Sequence, residues 1–440
     1  MSDLLTEATF FGEFVIPERE PPFIGKIEYS PTKGILFSYS SSEIGNDISS
    51  KVIHGVLDSG EKCTLIGNFH FYKLSSFRMK NGYATSAGRF CHFTLIMGGF
   101  FNEDDLVYNT IFNLTSFQTF MCNNSDIDMI DGFEKPAFNM TTDFGEISIV
   151  KTGSLTTILG ELSTKLFCDN LDALGELNSA SKNILSKYNI CRFEKINSVD
   201  YFVRLRFNGG ASIMNMYRYM GQISDLLALL GYNPVYPIII KIQKNNVDTY
   251  ESPLELYPSY SISERTLDQI RNYEDFSLFP INFKNINFEL ILSKWMNIGE
   301  KFSTITSSIQ FETGFRDIHE LHGEIVLYAT QVESISHKLK EKKLKYQVPI
   351  EKYASWHIRD ELIRIFKAYE KDSLGKAIGD LRNEIAHVGK PRHYLDILTA
   401  KDMMRISTCL QMTIIGYILS ELGVSEEDIF AYQKVHFRTI

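Results

Sequence analysis

The chain has 440 residues, enough for two or three domains and for a large core without disulfide staples. Hydrophobic residues make up 44% and charged residues 22%, which excludes a disordered or fibrous protein. The formal net charge of −9 excludes charge-driven coating of nucleic acid over the whole surface, but it leaves room for one local basic groove.

The opening stretch MSDLLTEATFFGEF has acids where a secretion signal needs cations. No run approaches the about 18 apolar residues that a spanning helix requires. A cytoplasmic protein without membrane contact is expected. Cys63, Cys91, Cys122, Cys168, Cys191 and Cys409 are scattered with no C-x-x-C pair, which points to reduced thiols rather than a disulfide framework or zinc knuckle.

The first 150 or so residues follow the period of β-strands. GKIEYSPTKGILFSYS reads as two alternating strands about a Pro31-Thr32-Lys33-Gly34 turn. VIHGVLDSGEKCTLIGNFHFYKL repeats the pattern about Asp58-Ser59-Gly60, and RFCHFTLIMGGFF and GEISIVKTG continue it. Turn signals recur about every ten residues, the spacing of a sandwich or barrel. YFVRLRFNGG, at 201–210, is a further strand.

The period then changes. Ile213, Met216, Tyr217, Met220, Ile223, Leu226, Leu227 and Leu230 fall at helical spacing, with Gly231 as the expected stop and Asn233-Pro234 behind it. VYPIIIKI follows as a buried strand. Pro253, Pro258 and Pro280 mark a polar connection, and the domain boundary is expected between 260 and 280. Beyond it, FELILSKWMNIGEKFSTITSSI, RDIHELHGEIVLYATQVESISHKL, WHIRDELIRIFKAYEKD and MMRISTCLQMTIIGYILSEL each keep an apolar period of three to four. Short links between such helices make an antiparallel bundle. The expected fold is α+β in two domains. Residues 1–265 form a β-rich, sandwich-like domain with a few helices, and 266–440 an all-α helical bundle.

LGKAIGDLRNEIAHVGK sits between the last two of those helices. Leu374, Ile378, Leu381, Ile385 and Val388 form its apolar stripe, and Asp380, Asn383, Glu384 and His387 its polar face. Arg382 precedes His387 by five residues and so points about 140° away on an ideal helix. Gly389 and Pro391 end the helix, which places His387 in the last turn, where free carbonyls favour an imidazolium.

Arginine with histidine suits cleavage of RNA without a metal. The 2′-hydroxyl attacks the adjacent phosphate, a histidine removes its proton, and a guanidinium fork meets the charge growing on the phosphoryl oxygens. Lys338 to His393 holds 14 Lys and Arg against 8 Asp and Glu, with KLKEKKLK at 338–345 the densest basic run. Lys342, Lys343, Lys390, Arg392 and His393 are the RNA-contacting candidates, although a basic run is also what a solvated helix end looks like. His319 and His322, in H-E-L-H, have a spacing that can chelate, but no third ligand accompanies them, so they read as surface or core residues. His357 reads as structural, or as lining the cleft with Arg359. No metal and no cofactor are expected.

RNEIAH, on a helix late in an all-helical bundle, resembles the R-x(4–6)-H motif of HEPN domains, which often carry Asn, Asp or His after the arginine, as Asn383 does here. GKIEYSPTKGILFSYS, IHGVLDSGEKCTLIGNF and RFNGGASIMNMYRYMGQISDLLALLGYNP resemble the N-terminal domain of ApeA-type proteins. The two resemblances together cover nearly the whole chain. They imply a metal-independent endoribonuclease of anti-phage abortive infection, dormant until infection is sensed, that cuts host RNA, with tRNA as the nominated substrate. They imply a homodimer or higher homo-oligomer whose motifs face one another, so that Arg382 reaches across the seam, and a phage-derived trigger acting through the N-terminal domain. By carry-over, Arg382 positions the phosphate, His387 is general base or acid, and Asn383 orients the site, with Asp380 and Glu384 in support. The alternative is a non-catalytic HEPN scaffold that binds RNA or a protein partner. Retention of both Arg382 and His387 argues against it.

Overall fold

The computed structural model describes residues 3–438 apart from 18–20, 42–47, 72–76, 81–82, 122–134, 160–169, 188–192, 246–251, 273–278, 311–317, 371–372, 388 and 390. The expected turns each join two strands. β1 (Ala8–Val15) pairs with β2 (Phe23–Ser30), and β2 pairs with β3 (Gly34–Ser41) across the Pro31–Lys33 turn, Ser30 opposite Gly34. β4 (Ile48–Leu57) and β5 (Lys62–Phe71) pair about Gly60, whose φ of 81° is the left-handed value that a glycine adopts freely. β6 (Phe77–Lys80), β7 (Tyr83–Cys91), β8 (Thr94–Met97), β9 (Val107–Leu114) and β10 (Phe138–Thr142) follow. β11 (Gly145–Leu159), β12 (Phe193–Ala211), β13 (Pro237–Gln243) and β14 (Leu254–Tyr257) complete a 14-stranded sheet, antiparallel at every described pairing, in the order β10-β11-β12-β9-β13-β14-β8-β5-β4-β1-β2-β3-β7-β6.

This sheet is continuous, yet it has the two facing layers of a sandwich because it rolls. Phe71 of β5 lies 5.0 Å from Tyr39 of β3 and 4.9 Å from Phe90 of β7, centroid to centroid, although β4, β1 and β2 stand between β5 and β3 in the hydrogen-bonded order. Those rings meet across the roll, where accumulated strand twist brings distant strands face to face. A Cβ on Gly25 would stand 2.4 Å from the Phe37 ring, so β2 can bend over that ring only with glycine there.

Twelve α-helices are described. α1 (Phe117–Met121), α2 (Leu171–Lys187), α3 (Ile213–Gly231) and α4 (Glu264–Asn272) belong to the strand-rich part of the chain. α5 (Phe288–Ile298), α6 (Ser303–Gln310), α7 (Ile318–Lys338), α8 (Gln347–Tyr353), α9 (Trp356–Phe366), α10 (Ser373–Ala386), α11 (Ala400–Leu422) and α12 (Glu426–Arg438) form the bundle. None of the described helices is long and apolar enough to cross a membrane.

Two expected helices differ in detail. α3 starts on Ser212, whose side chain accepts from Asn215 N, but it runs through Gly231 and is closed by Tyr232 in the left-handed region at φ 47°. Gly231 is needed for another reason: a Cβ there would stand 2.5 Å from the Phe279 ring. The single helix expected over 288–309 is broken at Gly299–Phe302 by a 3-10 turn, where the fully buried Trp295 ring lies over Gly299 with room for no side chain.

α11 is the hub of the bundle. Its residues from Ile406 to Leu419 are buried on every side, as a helix apolar all round must be. Its start is fixed by a reciprocal cap, Thr399 Oγ1 accepting from Asp402 N and Asp402 Oδ2 accepting from Thr399 N. The two halves share one core. Tyr232 donates its hydroxyl to Gln411 Oε1 at 2.7 Å, Tyr432 to the Leu229 carbonyl at 2.7 Å, and Trp295 Nε1 to the Gln222 carbonyl at 2.7 Å.

His436 of α12 lies buried against the rings of Tyr432 and Tyr232, and burial holds its imidazole down to about 4. The unfolded chain takes up that proton near pH 6.5, and the folded chain does not until about pH 4. Stability from this group is therefore complete above about pH 6.5 and is lost as the pH falls toward 4, with about 2 kcal/mol gone by about pH 5. Urea melts at about pH 7 and pH 5 test this: a His436→Phe chain is expected to lose less between the two pH values than the parent. Equal losses in both would remove His436 as the cause.

Candidate functional site

α10 is built to lie close against its neighbours. Leu374, Ala377, Ile378 and Leu381 are its buried face, turned to α7 and α9. Gln347, the first residue of α8, accepts from the backbone N–H of Gly375 at 3.1 Å, which satisfies a donor in the first turn. A Cβ on Gly379 would stand 3.1 Å from the Tyr346 ring, so the small residue admits that ring beside the helix. The helix stops at Ala386. His387 N donates to Asn383 O at 3.1 Å and closes the last turn, and Gly389, at φ 154°, turns the chain away. His387 thus stands exposed at the helix's C-terminal end.

From there the chain returns as a tight turn over 393–397 before α11. Glu384 organises that return. Its Oε2 accepts from Tyr394 N at 2.8 Å and Leu395 N at 3.1 Å. Glu384 therefore fastens the turn to α10, a use of the carboxylate that the sequence did not disclose. Between the helix end and the turn lies a cavity of about 540 Å³, whose lining includes His387, Glu384, Arg392, Asp396, Met403 and His322. His322 comes from α7, 65 residues before His387 in the chain, and lines the same cavity. The sequence marked it only through H-E-L-H and set it aside; it belongs with His387. Among the described residues, no group of three or more His, Cys, Asp or Glu could hold a metal ion.

Arg382 does not line this cavity. It faces the other way, as five residues of helix require. Its Nη1 donates to Asn383 Oδ1 at 3.2 Å, and its Nε is buried with no hydrogen-bond partner. Its charge is felt by Glu333 of α7 and by Tyr346. Glu333 is held below the usual carboxylate range first by the hydrogen bond from Lys345, at 2.6 Å, with the Tyr346 hydroxyl and the Arg382 charge adding to it. Burial pushes the Tyr346 phenol up. Arg382 is thus set in a half-buried frame of Glu333, Lys345 and Tyr346, with Asn383 accepting one of its donors.

The basic run 338–345 divides between structure and surface. Lys338 donates to the Tyr417 hydroxyl at 2.9 Å, and Lys345 to Glu333. Lys342 and Lys343 are exposed. Arg392 lines the His387 cavity, and the exposed His393 lies against the Tyr394 ring. Asp380 is exposed, and its charge and that of Glu384 reach Tyr394. The His357 ring lies tilted against the exposed Trp356, and neither His357 nor Arg359 lines the cavity. Lys390, Val388 and the side chain of His319 lie outside the described residues.

The end of α10 therefore carries two separate clusters: a histidine cavity with His387, His322 and Arg392, and an arginine frame with Arg382 and Asn383. Ile397, in the return turn beside the cavity, is 61% exposed.

A family model described as ApeA N-terminal domain 1 matches residues 9–295. A second, described as Apea-like HEPN, matches residues 311–428, which span α7 to α11 and hold both clusters. No curated protein and no solved structure matches the chain.

Proposed function

We propose, since the chain belongs to the ApeA family and carries an Apea-like HEPN domain, that its helical half is a metal-independent endoribonuclease of anti-phage defence. It acts in a homodimer and cuts host RNA, with tRNA the first substrate to examine, when the β-rich half registers infection. Residues 1–265 are assigned to sensing and regulation, and 266–440 to cleavage.

The observation that carries this reading is the cavity at the end of α10, which brings His387 and His322 together with Arg392. Cleavage by internal transfer needs one imidazole to take the proton from the 2′-hydroxyl and a second acid to give one to the departing 5′-oxygen. The 2′-oxygen to phosphorus bond forms, the phosphorus to 5′-oxygen bond breaks, and the products are a 2′,3′-cyclic phosphate and a 5′-hydroxyl. His387 and His322 supply the two imidazoles. Arg392 and the Arg382 fork, the latter from a facing protomer and aligned by Asn383, stabilise the charge on the phosphoryl oxygens. Lys342, Lys343 and His393 are assigned to the flanking phosphates.

The test is made in cells. Parent and His387→Ala chains are expressed in bacteria, infected with a set of phages, and small RNA is followed on gels. Discrete fragments ending in cyclic phosphate are expected only in infected cells with the parent. Protection by both chains without fragments would overturn the nuclease reading in favour of a binding scaffold.

A further inference from the structure

A second cavity, of about 590 Å³, opens where α3 leaves the sheet. Its walls are the middle of β5, the β7–β8 turn at His92, α3 from Ile213 to Asp225, the chain entering β13, the Pro258–Tyr260 segment, and Gln310 at the end of α6. The size is that of a small-molecule site. Phe93, Tyr217, Tyr236 and Tyr260 give it aromatic walls. Ser224 and Asp225 stand on the α3 wall, and no lysine or arginine lines it.

Two features mark it as a binding site rather than a packing gap. The Ser224 and Tyr260 hydroxyl oxygens are buried with no hydrogen-bond partner in the protein, a costly situation unless something supplies the bond. His92 holds φ 61° in the turn at the rim, a left-handed conformation unusual for a residue with a side chain. A phosphate or carboxylate ligand would meet the Asp225 carboxyl with no lysine or arginine in the lining to pair with it. Aromatic walls suit a flat ring, and isolated hydroxyls and a carboxyl suit its polar edge.

We propose that this cavity binds an uncharged, planar heteroaromatic ligand of the nucleoside class, its ring among the tyrosines and its polar edge on Ser224, Asp225 and Tyr260. Occupancy is felt beyond the sheet. Gln310 clasps the rim, accepting from Val235 N at 2.8 Å and donating to Val235 O at 3.1 Å and to Asp225 Oδ1 at 3.3 Å. Asp225 also accepts from Thr306 of α6. The ligand therefore braces α6, and α7, which carries His322, is the next described helix.

The experiment does not depend on RNA cleavage. Adenosine, guanosine, cytidine and uridine, and their 5′-monophosphates, are titrated into the full chain by calorimetry. Gly221 lines the cavity from α3, and a Cβ there would meet nothing within 4 Å. Gly221→Leu therefore fills the space while improving the helix. At least one nucleoside is expected to bind the parent, its monophosphate at least about tenfold more weakly, and Gly221→Leu to lose at least about tenfold in affinity at an undiminished melting temperature. Absence of binding by every nucleoside, equal or tighter binding of the monophosphate, or undiminished binding to Gly221→Leu each overturns the proposal.

Discussion

A His387→Ala chain is expected to cut RNA about 10³-fold more slowly than its parent, the usual worth of a positioned acid or base. Its melting temperature should stay within a few degrees, because the side chain is exposed at a helix end and no core contact goes with it. Arg382→Lys is expected to lose about 10²-fold even though the charge is kept, since the bidentate fork is lost. The more searching experiment mixes two dead chains. Arg382→Ala and His387→Ala proteins are co-expressed and assayed on a fluorescent RNA. Arg382 and His387 point about 140° apart on α10, and the arginine is absent from the histidine's cavity. If each site takes its arginine from one protomer and its histidine from the other, a mixed dimer has one intact site and one doubly broken site. With random pairing, mixed dimers are half the population, so about a quarter of the parent activity returns. If both groups act within one protomer, mixing restores nothing. Parent-like cutting by either single variant would remove the site assignment altogether.

The pattern of hydrophobic residues disclosed most of this architecture, and the exceptions have definite causes. Turns such as Pro31–Lys33 and Asp58–Gly60 were legible because proline, aspartate and glycine have backbone preferences that act locally. The rolling of the sheet was not, because Phe71 meets Tyr39 and Phe90 only after several strands have accumulated twist. α12 was not marked as a helix because its buried stripe, Ile429, Tyr432, Gln433 and His436, contains two polar residues that satisfy or hide their polarity inside the core. Around α10 the motif gave the residues but not their company. Nothing local ties His322 to His387 or turns Glu384 toward the backbone of 394 and 395; both follow from how α7 and the return turn close over the helix end.

Gln433→Leu is expected to destabilise the fold by about 4 kcal/mol. The residue is fully buried. Its Oε1 accepts from Ser355 N at 2.7 Å, and its Nε2 donates to Tyr353 O at 2.8 Å and to Met412 O at 2.9 Å. One side chain thus ties α12 to the α8–α9 junction and to α11. The junction is tight: a Cβ on Gly416 of α11 would stand 2.2 Å from Tyr353 O, so the helices approach there as closely as backbone permits. Leucine matches the volume but leaves the Ser355 N–H and the Tyr353 carbonyl unpaired in a place without solvent, each costing about 1–3 kcal/mol, and removes a second donor from the Met412 carbonyl, which keeps its partner within α11. Glutamate replaces the acceptor but cannot donate to either carbonyl when ionised, so Gln433→Glu is expected to be at least as harmful at neutral pH and to recover in part in mild acid, where a protonated carboxyl regains one donor. The check is equilibrium unfolding in urea, with the midpoint of Gln433→Leu falling by about 1–2 M at an unchanged slope. A midpoint equal to the parent's would mean that the three bonds are matched by water in the unfolded chain at no net gain. The cohesion of α8, α9 and α12, and with it the platform on which α10 rests, would then have to come from apolar packing alone.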